Sequence, residues 1–312
     1  MSILITGGSG FLGTSFTRKL QELDDNVVAL SSRDADLRNP SSLDKFCGHK
    51  FDIIVHLASW TQAGDFCLHH PGEQWLINQQ INTTVLNWWA SDQSQAKLIS
   101  MGTSCAYGEP GDYREENYLI GEPHESLYTY AMTKRMLLIG QMSLSKQFGL
   151  KWLTLVPSTI YGPHYIADGK QMHFIFDIVR KVLNYKYHQE PIVLWGDGHQ
   201  RRELVYVEDF VNEALALNDI VENSVVNIGA GEDYSIREFA GVVCEAARVD
   251  PAVIQYDTSK YVGSRTKRLN TEKLDGLLPR RKRIPLGDGL CQLVAEMEST
   301  YKTGQAGVVG IK

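Results

Sequence analysis

The amino-acid sequence predicts an α/β fold in which a doubly wound parallel sheet is followed by a smaller C-terminal α/β portion. Short apolar runs rich in β-branched residues alternate with segments of helical periodicity through the first half of the chain, which indicates βαβ units. A glycine-rich turn follows the first of these runs. After about Pro157, glycine and proline become more frequent and the strand candidates become shorter, so we expect the architecture to change there.

The predicted elements follow one another in a regular order. In the first half, strands are predicted at residues 2–6, 27–32, 53–58, 97–101 and 152–156, with helices at 11–23, 74–90 and 128–148. Right-handed crossovers between them place helices on both faces of the sheet. In the second half, strands are predicted at 192–195, 204–207 and 225–228, with helices at 171–183, 208–218 and 236–247. We therefore divide the chain into residues 1–160 and a smaller portion, residues 161–312.

Composition argues against several classes of function. The 312 residues have a formal net charge of −6, which disfavours binding to nucleic-acid phosphates. The five cysteines form no C-x-x-C pair, which argues against a disulfide framework or a metal site. The sequence shows no secretory signal and no apolar stretch long enough to span a bilayer. We expect a cytoplasmic protein with reduced thiols and no metal, membrane or nucleic-acid partner.

Residues 6–13 read Thr-Gly-Gly-Ser-Gly-Phe-Leu-Gly, between a predicted strand and a predicted helix. Gly7 permits the tight turn, Gly10 lets the backbone approach a pyrophosphate, and Gly13 lets helix and strand pack closely. The helix that begins with Phe11 and Leu12 offers free N–H groups to phosphate. Residues 1–160 are thus predicted to form a Rossmann-type dinucleotide-binding domain; the alternative is a purely structural loop. The spacing T-G-x-x-G-x-x-G resembles that of the extended short-chain dehydrogenase/reductases, the NAD-dependent epimerase/dehydratase family.

The end of the second strand predicts which dinucleotide binds. Sites that prefer NAD place an acid there to hold the ribose hydroxyls. This chain has Ser31 and Ser32 followed by Arg33, whose guanidinium can bind a 2′-phosphate. We predict NADP(H) as the preferred cofactor, with NAD(H) as the alternative. The family resemblance implies further cofactor contacts from Asp36, Leu37, Leu57, Ala58, Ser59 and Pro157.

Tyr130 and Lys134 stand four residues apart at the start of a predicted helix, so both side chains share one face. A phenol has an ordinary pKa of about 10, and we expect a neighbouring Lys⁺ and the cofactor charge to lower the pKa of Tyr130. Thr103, at the end of the fourth strand, can donate a hydrogen bond to the reacting oxygen. A second Y-x-x-x-K, Tyr256 and Lys260, lies in a predicted strand and loop, and we interpret it as structural.

Longer segments carry a more specific resemblance. Residues 100–108, 157–164 and the series W-G-D-G, R-E-L and V-E-D between 195 and 209 are similar to stretches of the GDP-L-fucose synthases. Those enzymes epimerise a GDP-4-keto-6-deoxy sugar at C3 and C5 and then reduce C4 with NADPH. The resemblance implies that Cys105 and His173 form the acid–base pair of the epimerisation and that Asn78 supports the active site and cofactor. It also implies substrate contacts from Thr103, Ser104, Thr159, Arg202 and Lys267, with Arg202 on the diphosphate.

The chain departs from that family at three positions, and other functions stay open. Thr159 replaces an Asn near the substrate, Ser9 replaces an Arg that often aids 2′-phosphate binding, and Thr103 replaces a Ser but keeps the hydroxyl. A nucleotide-sugar 4-epimerase with tightly bound NAD, or a simple nucleotide-sugar 4-ketoreductase, would use the same scaffold without the Cys/His pair. A non-catalytic dinucleotide-binding protein is a further alternative.

Two apolar helix faces suggest association. The faces around residues 85–90, with Trp88 and Trp89, and around residues 130–142 are similar to those that pair as a four-helix bundle in homodimers of this family. The alternative is that Trp88 and Trp89 are core residues. We expect a homodimer.

Overall fold

The computed structural model describes residues 1–63, 66–109, 111–165, 172–260, 262 and 264–302. The strands and helices, in chain order, are β1 (Ser2–Thr6), α1 (Phe11–Glu22), β2 (Asn26–Leu30), β3 (Ile53–His56), α2 (Phe66–His69), α3 (Pro71–Ser91), β4 (Lys97–Met101), α4 (Tyr128–Phe148), β5 (Trp152–Pro157), β6 (Thr159–Tyr161), α5 (Phe174–His188), β7 (Val193–Trp195), β8 (Arg201–Arg202), β9 (Leu204–Tyr206), α6 (Val207–Ile220), β10 (Ser224–Ile228), β11 (Tyr234–Ser235), α7 (Ile236–Ala247), β12 (Gln255–Asp257), β13 (Thr266–Lys267), α8 (Glu272–Leu277) and α9 (Leu286–Lys302). The helix predicted from residue 171 begins at Phe174, and residue 171 itself lies outside the described residues.

The main sheet contains six parallel strands in the order β2-β1-β3-β4-β5-β10. Ile3 of β1 pairs with Val27 of β2 on one side and with Ile53 of β3 on the other. The order of the strands therefore reverses at β1, and a crevice forms where the carboxyl ends of β1 and β3 diverge. The prediction of a doubly wound parallel sheet is confirmed.

Helices cover both faces of this sheet. Ile3 and Ile5 join residues of α1 and α6 in one buried cluster, whereas Leu4 joins residues of α3 and α4 in another. Successive side chains of a strand point to opposite faces, so a strand buried on both sides needs an unbroken apolar run. That requirement explains the short continuous runs by which the sequence marks these strands.

The C-terminal portion has its own core. Three small sheets, β11-β8-β13, β7-β12 and β6-β9, pack with α5, α7 and α9 around buried residues such as Phe176, Phe239 and Leu293. The chain nevertheless returns to the main sheet, because β10 pairs with β5 in parallel. A strand that the sequence assigned to the second portion thus completes the first sheet. The division at residue 160 stays a prediction.

The helices α3 and α4 pack against each other, and their outer faces carry exposed apolar residues. Trp88 and Trp89 do not belong to these faces: both are buried in the core of the chain, and the Trp89 indole donates to the Ala96 carbonyl oxygen at 2.9 Å. Their predicted place on a pairing face is therefore wrong, and the alternative core interpretation is right. The exposed apolar side chains of the two helices include Trp75, Leu76, Met136, Ile139 and Met142.

None of the helices that the structure describes is long and apolar enough to cross a membrane.

Candidate active site

The glycine turn joins β1 to α1 at the crevice. Gly7 has a φ of +70°, which L side chains rarely adopt. A Cβ at Gly13 would lie 2.2 Å from the carbonyl oxygen of Gly7, so the helix can approach the turn only with glycine there. Gly10 is the N-cap of α1, and no side chain in the described part of the chain caps this helix. The first-turn N–H groups of Phe11 and Leu12 are therefore available to an anion, and the site fits the pyrophosphate of a dinucleotide.

Gly8 also has a structural role, which the spacing argument did not assign. A Cβ at Gly8 would lie 2.8 Å from the Cβ of Ala29, and its N–H donates to the Leu30 carbonyl oxygen at 2.8 Å. The turn therefore packs against β2 as well as against α1. The glycine pattern of the turn could not predict this contact, because it depends on how closely β2 passes.

A buried polar chain links the crevice to α4. The Ala58 N–H donates to Thr6 Oγ1 at 3.3 Å, Thr6 Oγ1 lies 2.8 Å from His56 Nδ1, and His56 Nε2 lies 3.2 Å from Asn82 Oδ1. The Asn82 amide then donates to the Thr133 carbonyl oxygen at 3.4 Å. Burial lowers the pKa of His56 to about 4, assisted by the charge of Lys134, so the imidazole is neutral. Because Asn82 Oδ1 can only accept, Nε2 carries the proton and Nδ1 accepts from Thr6.

Asn78 holds the loop that follows β3. Its Oδ1 accepts from the Ser59 hydroxyl at 3.0 Å and from the Trp60 N–H at 2.9 Å, while its Nδ2 donates to the carbonyl oxygens of Trp60 and Gln74. The side chain is buried. Asn78 thus fixes the predicted cofactor residue Ser59 together with Trp60, and a direct contact between Asn78 and the cofactor stays a prediction.

The end of β2 carries both signs of charge. Arg33 is exposed, in keeping with its predicted role toward a 2′-phosphate. Asp34 lies close by, however, and its carboxylate accepts from the hydroxyl and the N–H of Ser31 at 2.6 and 2.9 Å. These two bonds lower the pKa of Asp34. An acid is therefore present just after the end of β2, although the sequence argument placed none at residues 31 and 32.

Asp36 and Leu37 follow this segment. The Asp36 carboxylate forms a two-pronged ion pair with the guanidinium of Arg38, with N···O distances of 2.6 to 3.1 Å, and Leu37 is buried. Their contacts with an adenine ring stay predictions.

Thr103, Tyr130 and Lys134 come together at the carboxyl end of β4. Tyr130 lies in the first turn of α4, and the ammonium nitrogen of Lys134, one turn later, lies 5.9 Å from the centre of its ring. Burial raises the pKa of Tyr130, and a hydrogen bond with Thr103 opposes the rise. Burial also lowers the pKa of Lys134 to about 8. The direction for Tyr130 is opposite to the one predicted, because loss of hydration disfavours the phenolate.

Cys105 lies beside this group. It belongs to a 3-10 turn, Ser104–Ala106, whose first residue follows Thr103, and its N–H donates to Thr103 Oγ1 at 3.2 Å. The charge of a Cys105 thiolate raises the pKa of Tyr130, so thiol and phenol are within electrostatic reach. The sulfur lies 3.2 Å from the ammonium nitrogen of Lys267. The structure thus brings Thr103, Cys105, Tyr130, Lys134 and Lys267 to one place.

His173, Thr159 and Pro157 lie on the segments that follow β5. His173 is the N-cap of α5, and loss of hydration among the protein atoms around it lowers the pKa of its imidazole. Thr159 begins β6, next to Pro157 at the end of β5. The segment before His173 includes residues 166–171, which lie outside the described residues. Contact between His173 and Cys105 stays a prediction.

Arg202 and Lys267 stand opposite each other on the paired strands β8 and β13. The Arg202 guanidinium donates to the carbonyl oxygens of Ser264 and Val262 at 2.8 and 2.7 Å, which fixes its position. Its predicted contact with a diphosphate stays a prediction.

Glu203 is a buried carboxyl group that the sequence argument did not single out. It accepts from the N–H groups of Gly231 and Leu269 at 2.8 and 2.9 Å, and burial raises its pKa to about 7. It thereby ties the loop after β10 and the segment after β13 to the residue next to Arg202. The R-E-L motif could have indicated this role, because a glutamate next to an apolar strand needs hydrogen-bond partners within the protein when it is buried.

The second Y-x-x-x-K has no comparable geometry. Tyr256 lies in β12 and Lys260 in the turn that follows, so the two do not share a helix face. The guanidinium carbon of Arg237 lies 3.9 Å from the centre of the Tyr256 ring. This geometry supports the structural interpretation of the pair, which stays a prediction.

Comparison with known proteins places this geometry in a family. Residues 3–229 match the NAD dependent epimerase/dehydratase family. The chain belongs to that family. A family member named GDP-L-fucose synthase, from Dictyostelium discoideum, is 26% identical over 316 residues, which cover 97% of each chain. The prediction of this family from the sequence motifs is confirmed.

Solved structures agree with this assignment at the level of the fold. A GDP-L-fucose synthetase from Naegleria fowleri bound to NADP has a TM-score of 0.85 and 23% identity, covering 97% of this chain and 95% of that one. A UDP-glucose 4-epimerase from Thermotoga maritima has a TM-score of 0.83 and 23% identity, covering 96% of this chain and all of the other. The fold is thus shared by proteins with two different named activities.

Proposed function

We propose that this chain is an NADP(H)-dependent nucleotide-sugar epimerase/reductase, which inverts C3 and C5 of a GDP-4-keto-6-deoxy sugar and reduces its C4 keto group. The observation that carries the proposal is the grouping of Thr103, Tyr130 and Lys134 with the Cys105 thiol at one edge of the sheet. A reductase needs the first three residues, and an epimerase needs an additional acid–base group. The full-length similarity to a GDP-L-fucose synthase supports the same substrate class.

The glycine turn, the free N–H groups of α1 and Lys134 fit a nicotinamide dinucleotide. When bound, NADPH supplies the hydride for reduction at C4. Tyr130 is protonated at neutral pH because burial raises its pKa, and it donates that proton to O4 as negative charge develops there. Thr103 hydrogen-bonds the same oxygen and orients the phenol. Lys134, largely protonated at neutral pH, stabilises the phenolate that remains.

The C4 keto group also acidifies the protons on C3 and C5. The lowered pKa of His173 leaves its imidazole neutral at neutral pH, so it is suited to remove such a proton. The Cys105 thiol donates a proton to the opposite face of the same carbon, and the configuration inverts. Tyr130 and Thr103 stabilise the enolate oxygen in the meantime.

The decisive experiment is turnover in heavy water. GDP-4-keto-6-deoxymannose and NADPH are supplied, and the product is analysed by mass spectrometry and NMR. We expect NADPH oxidation and deuterium at C3 and C5. Cys105→Ser should keep reduction and lose ring deuterium, whereas Cys47→Ser, at an exposed thiol, should behave as the wild type. Reduction without ring deuterium in the wild type would indicate a simple 4-ketoreductase.

A second candidate is a nucleotide-sugar 4-epimerase, favoured by the structural similarity to the Thermotoga maritima enzyme. Such an enzyme re-uses one dinucleotide and retains NAD tightly. The nucleotide released by denaturing the purified protein distinguishes the two: stoichiometric NAD would favour the 4-epimerase, and freely exchanged NADPH the reductase. A protein that binds NADPH but turns over neither type of substrate would fit the non-catalytic alternative.

The chain is further proposed to form a homodimer through a four-helix bundle of α3 and α4 from each copy. The exposed apolar residues Leu76, Met136, Ile139 and Met142 support this, because clustered apolar side chains on neighbouring helices favour burial against a partner. Light scattering at micromolar concentration should give twice the chain mass. The double variant Met136→Glu, Ile139→Glu should give a monomer, and a monomeric wild type would exclude the dimer.

A cytoplasmic location and the division into a dinucleotide-binding portion (1–160) and a nucleotide-sugar portion (161–312) complete the proposal. All five cysteines are free thiols, as expected in a reducing compartment. The separate core around α5, α7 and α9 supports the division.

A further inference from the structure

Lys267 is far from Cys105 in the sequence, but its side chain contacts the Cys105 thiol. Its ammonium nitrogen lies 3.2 Å from the sulfur of Cys105, although the two residues are 162 positions apart. Its strand, β13, pairs with β8. On β8, the Arg202 guanidinium donates hydrogen bonds to the carbonyl oxygens of Val262 and Ser264. Lys267 is therefore delivered by a strand that is anchored to its neighbour.

The other titratable groups near Cys105 come from several elements. A charge on this thiol couples to the phenols of Tyr113, Tyr118 and Tyr130 and to the thiol of Cys67, and Tyr113 in turn couples to Glu109 and Arg202. Burial raises the pKa of each of these phenols and of Cys67, so all four are neutral at neutral pH. Lys267 supplies a full positive charge at contact distance.

We propose that Lys267 is a positioning residue that stabilises the thiolate of Cys105, so that each of the two proton donors of the site, Tyr130 and Cys105, has its own ammonium partner. Lys134 serves Tyr130, and Lys267 serves Cys105. The inference rests on the proposed function and assigns to Lys267 a role beyond its predicted contact with the substrate. A hydrogen bond from an ammonium to a thiolate is charge-assisted and strong, and the thiolate is the reactive form of cysteine.

Inversion at C3 or C5 removes one proton from the carbon and delivers another to its opposite face. His173 removes a proton from C3 or C5 and becomes imidazolium, and the electron pair of that C–H bond passes into the enolate. The enolate carbon then takes the proton of Cys105 with its own electron pair, and the S–H pair stays on sulfur as the thiolate beside Lys267. Thiolate and imidazolium together carry no net charge, and they return to thiol and imidazole by exchange with solvent.

The test measures the rate at which iodoacetamide alkylates Cys105 in the free enzyme, peptide by peptide, between pH 6 and 9. Iodoacetamide is uncharged, so the rate reports the thiolate fraction rather than attraction of the reagent. Lys267→Met should slow alkylation at pH 7 about tenfold, with the difference closing at high pH. Lys267→Arg should restore most of the rate, because it keeps the charge. The matched control, Lys260→Met at an exposed turn residue, should leave the rate unchanged.

The exposed thiols Cys47 and Cys291 serve as internal references in every digest. If Lys267→Met lost structure, its buried thiols would be alkylated faster, and the rate difference from the wild type would persist at high pH. Loss of structure is therefore distinguishable from loss of a charge. Equal or faster alkylation of Cys105 in Lys267→Met would overturn the proposal. The measurement uses neither substrate nor cofactor, so its outcome is separate from that of the heavy-water experiment.

Discussion

The two halves of the active site are built in different ways. On the dinucleotide side, the functional groups lie close together in sequence: Gly7, in the turn after β1, and Gly13, in α1, are six residues apart, and Tyr130 and Lys134 lie one turn apart on α4. On the substrate side, the contact between Cys105 and Lys267 joins residues 162 positions apart. The first half can be predicted from the spacing of residues, whereas the second depends on how two portions of the chain pack.

The largest effect should come from the dinucleotide side. Tyr130→Phe removes the proton donor for O4, and general acid catalysis contributes about 10³-fold to such a step. We expect the rate of NADPH oxidation with GDP-4-keto-6-deoxymannose, followed at 340 nm, to fall by that factor. Tyr256→Phe, in the second Y-x-x-x-K, is the control and should retain full activity. A loss of less than tenfold in Tyr130→Phe would show that another group supplies the proton.

Gly13→Ala should give the next largest effect, a loss of stability and of NADPH binding. The added Cβ would lie 2.2 Å from the Gly7 carbonyl oxygen. Overpacking against backbone costs about 3 kcal/mol, which urea unfolding should detect, together with loss of NADPH binding. Gly276→Ala has open space around the added Cβ and should change the free energy of unfolding by no more than about 1 kcal/mol. Equal stability of the two variants would mean that the turn is not rigid.

Arg33→Ala tests the choice of cofactor. Losing a charge-assisted contact with a 2′-phosphate should raise the Kd for NADPH about tenfold and leave the Kd for NADH unchanged, as measured by cofactor fluorescence. Arg280→Ala removes an exposed arginine elsewhere and should affect neither. Equal weakening of both cofactors would place Arg33 on the part that they share, and the predicted preference for NADP(H) would lose its basis.

Glu203→Gln should have the smallest effect on turnover, and it concerns the substrate side, where it changes how stability depends on pH. The folded-state pKa of Glu203 is raised from 4.5 to about 7, so the folded protein binds this proton more tightly than the unfolded chain. Stability from this group is therefore present at low pH and is lost as the pH rises from about 5 to about 7. The stability advantage of the wild type over Glu203→Gln should shrink across that range in urea unfolding. An advantage that grows with pH would contradict the assigned direction.

The sequence predicted most of the first half of the site for a physical reason. Strand runs, the glycine turn and a four-residue helical spacing are local patterns, and α4 spans the predicted residues 128–148. The misjudged features depend on long-range packing. The apolar character of Trp88 and Trp89 fits either a pairing face or the core. Only the position of the sheet decides that both side chains are buried in the core. Burial raises the pKa of Tyr130, and the spacing of residues does not indicate burial. Strand β10 pairs with β5, so the chain returns from the C-terminal portion to the main sheet, which no local pattern predicts.

The substrate side was predicted largely through resemblance. Cys105 and Lys267 were each assigned from a motif, but no local pattern indicated that their side chains would meet. Glu203 was passed over because its partners, the N–H groups of Gly231 and Leu269, are 28 and 66 residues away in the chain.

The hydrogen bonds through Thr6, His56 and Asn82 have a mechanical consequence. They connect the loop after β3 to the backbone of α4 through side chains that are almost wholly buried, and each proton in the series has a fixed direction. The loop after β3 and the helix that carries Tyr130 are therefore tied to each other by buried hydrogen bonds. Arg202 and Lys267 lie outside this series, so a substitution at either residue removes none of these bonds.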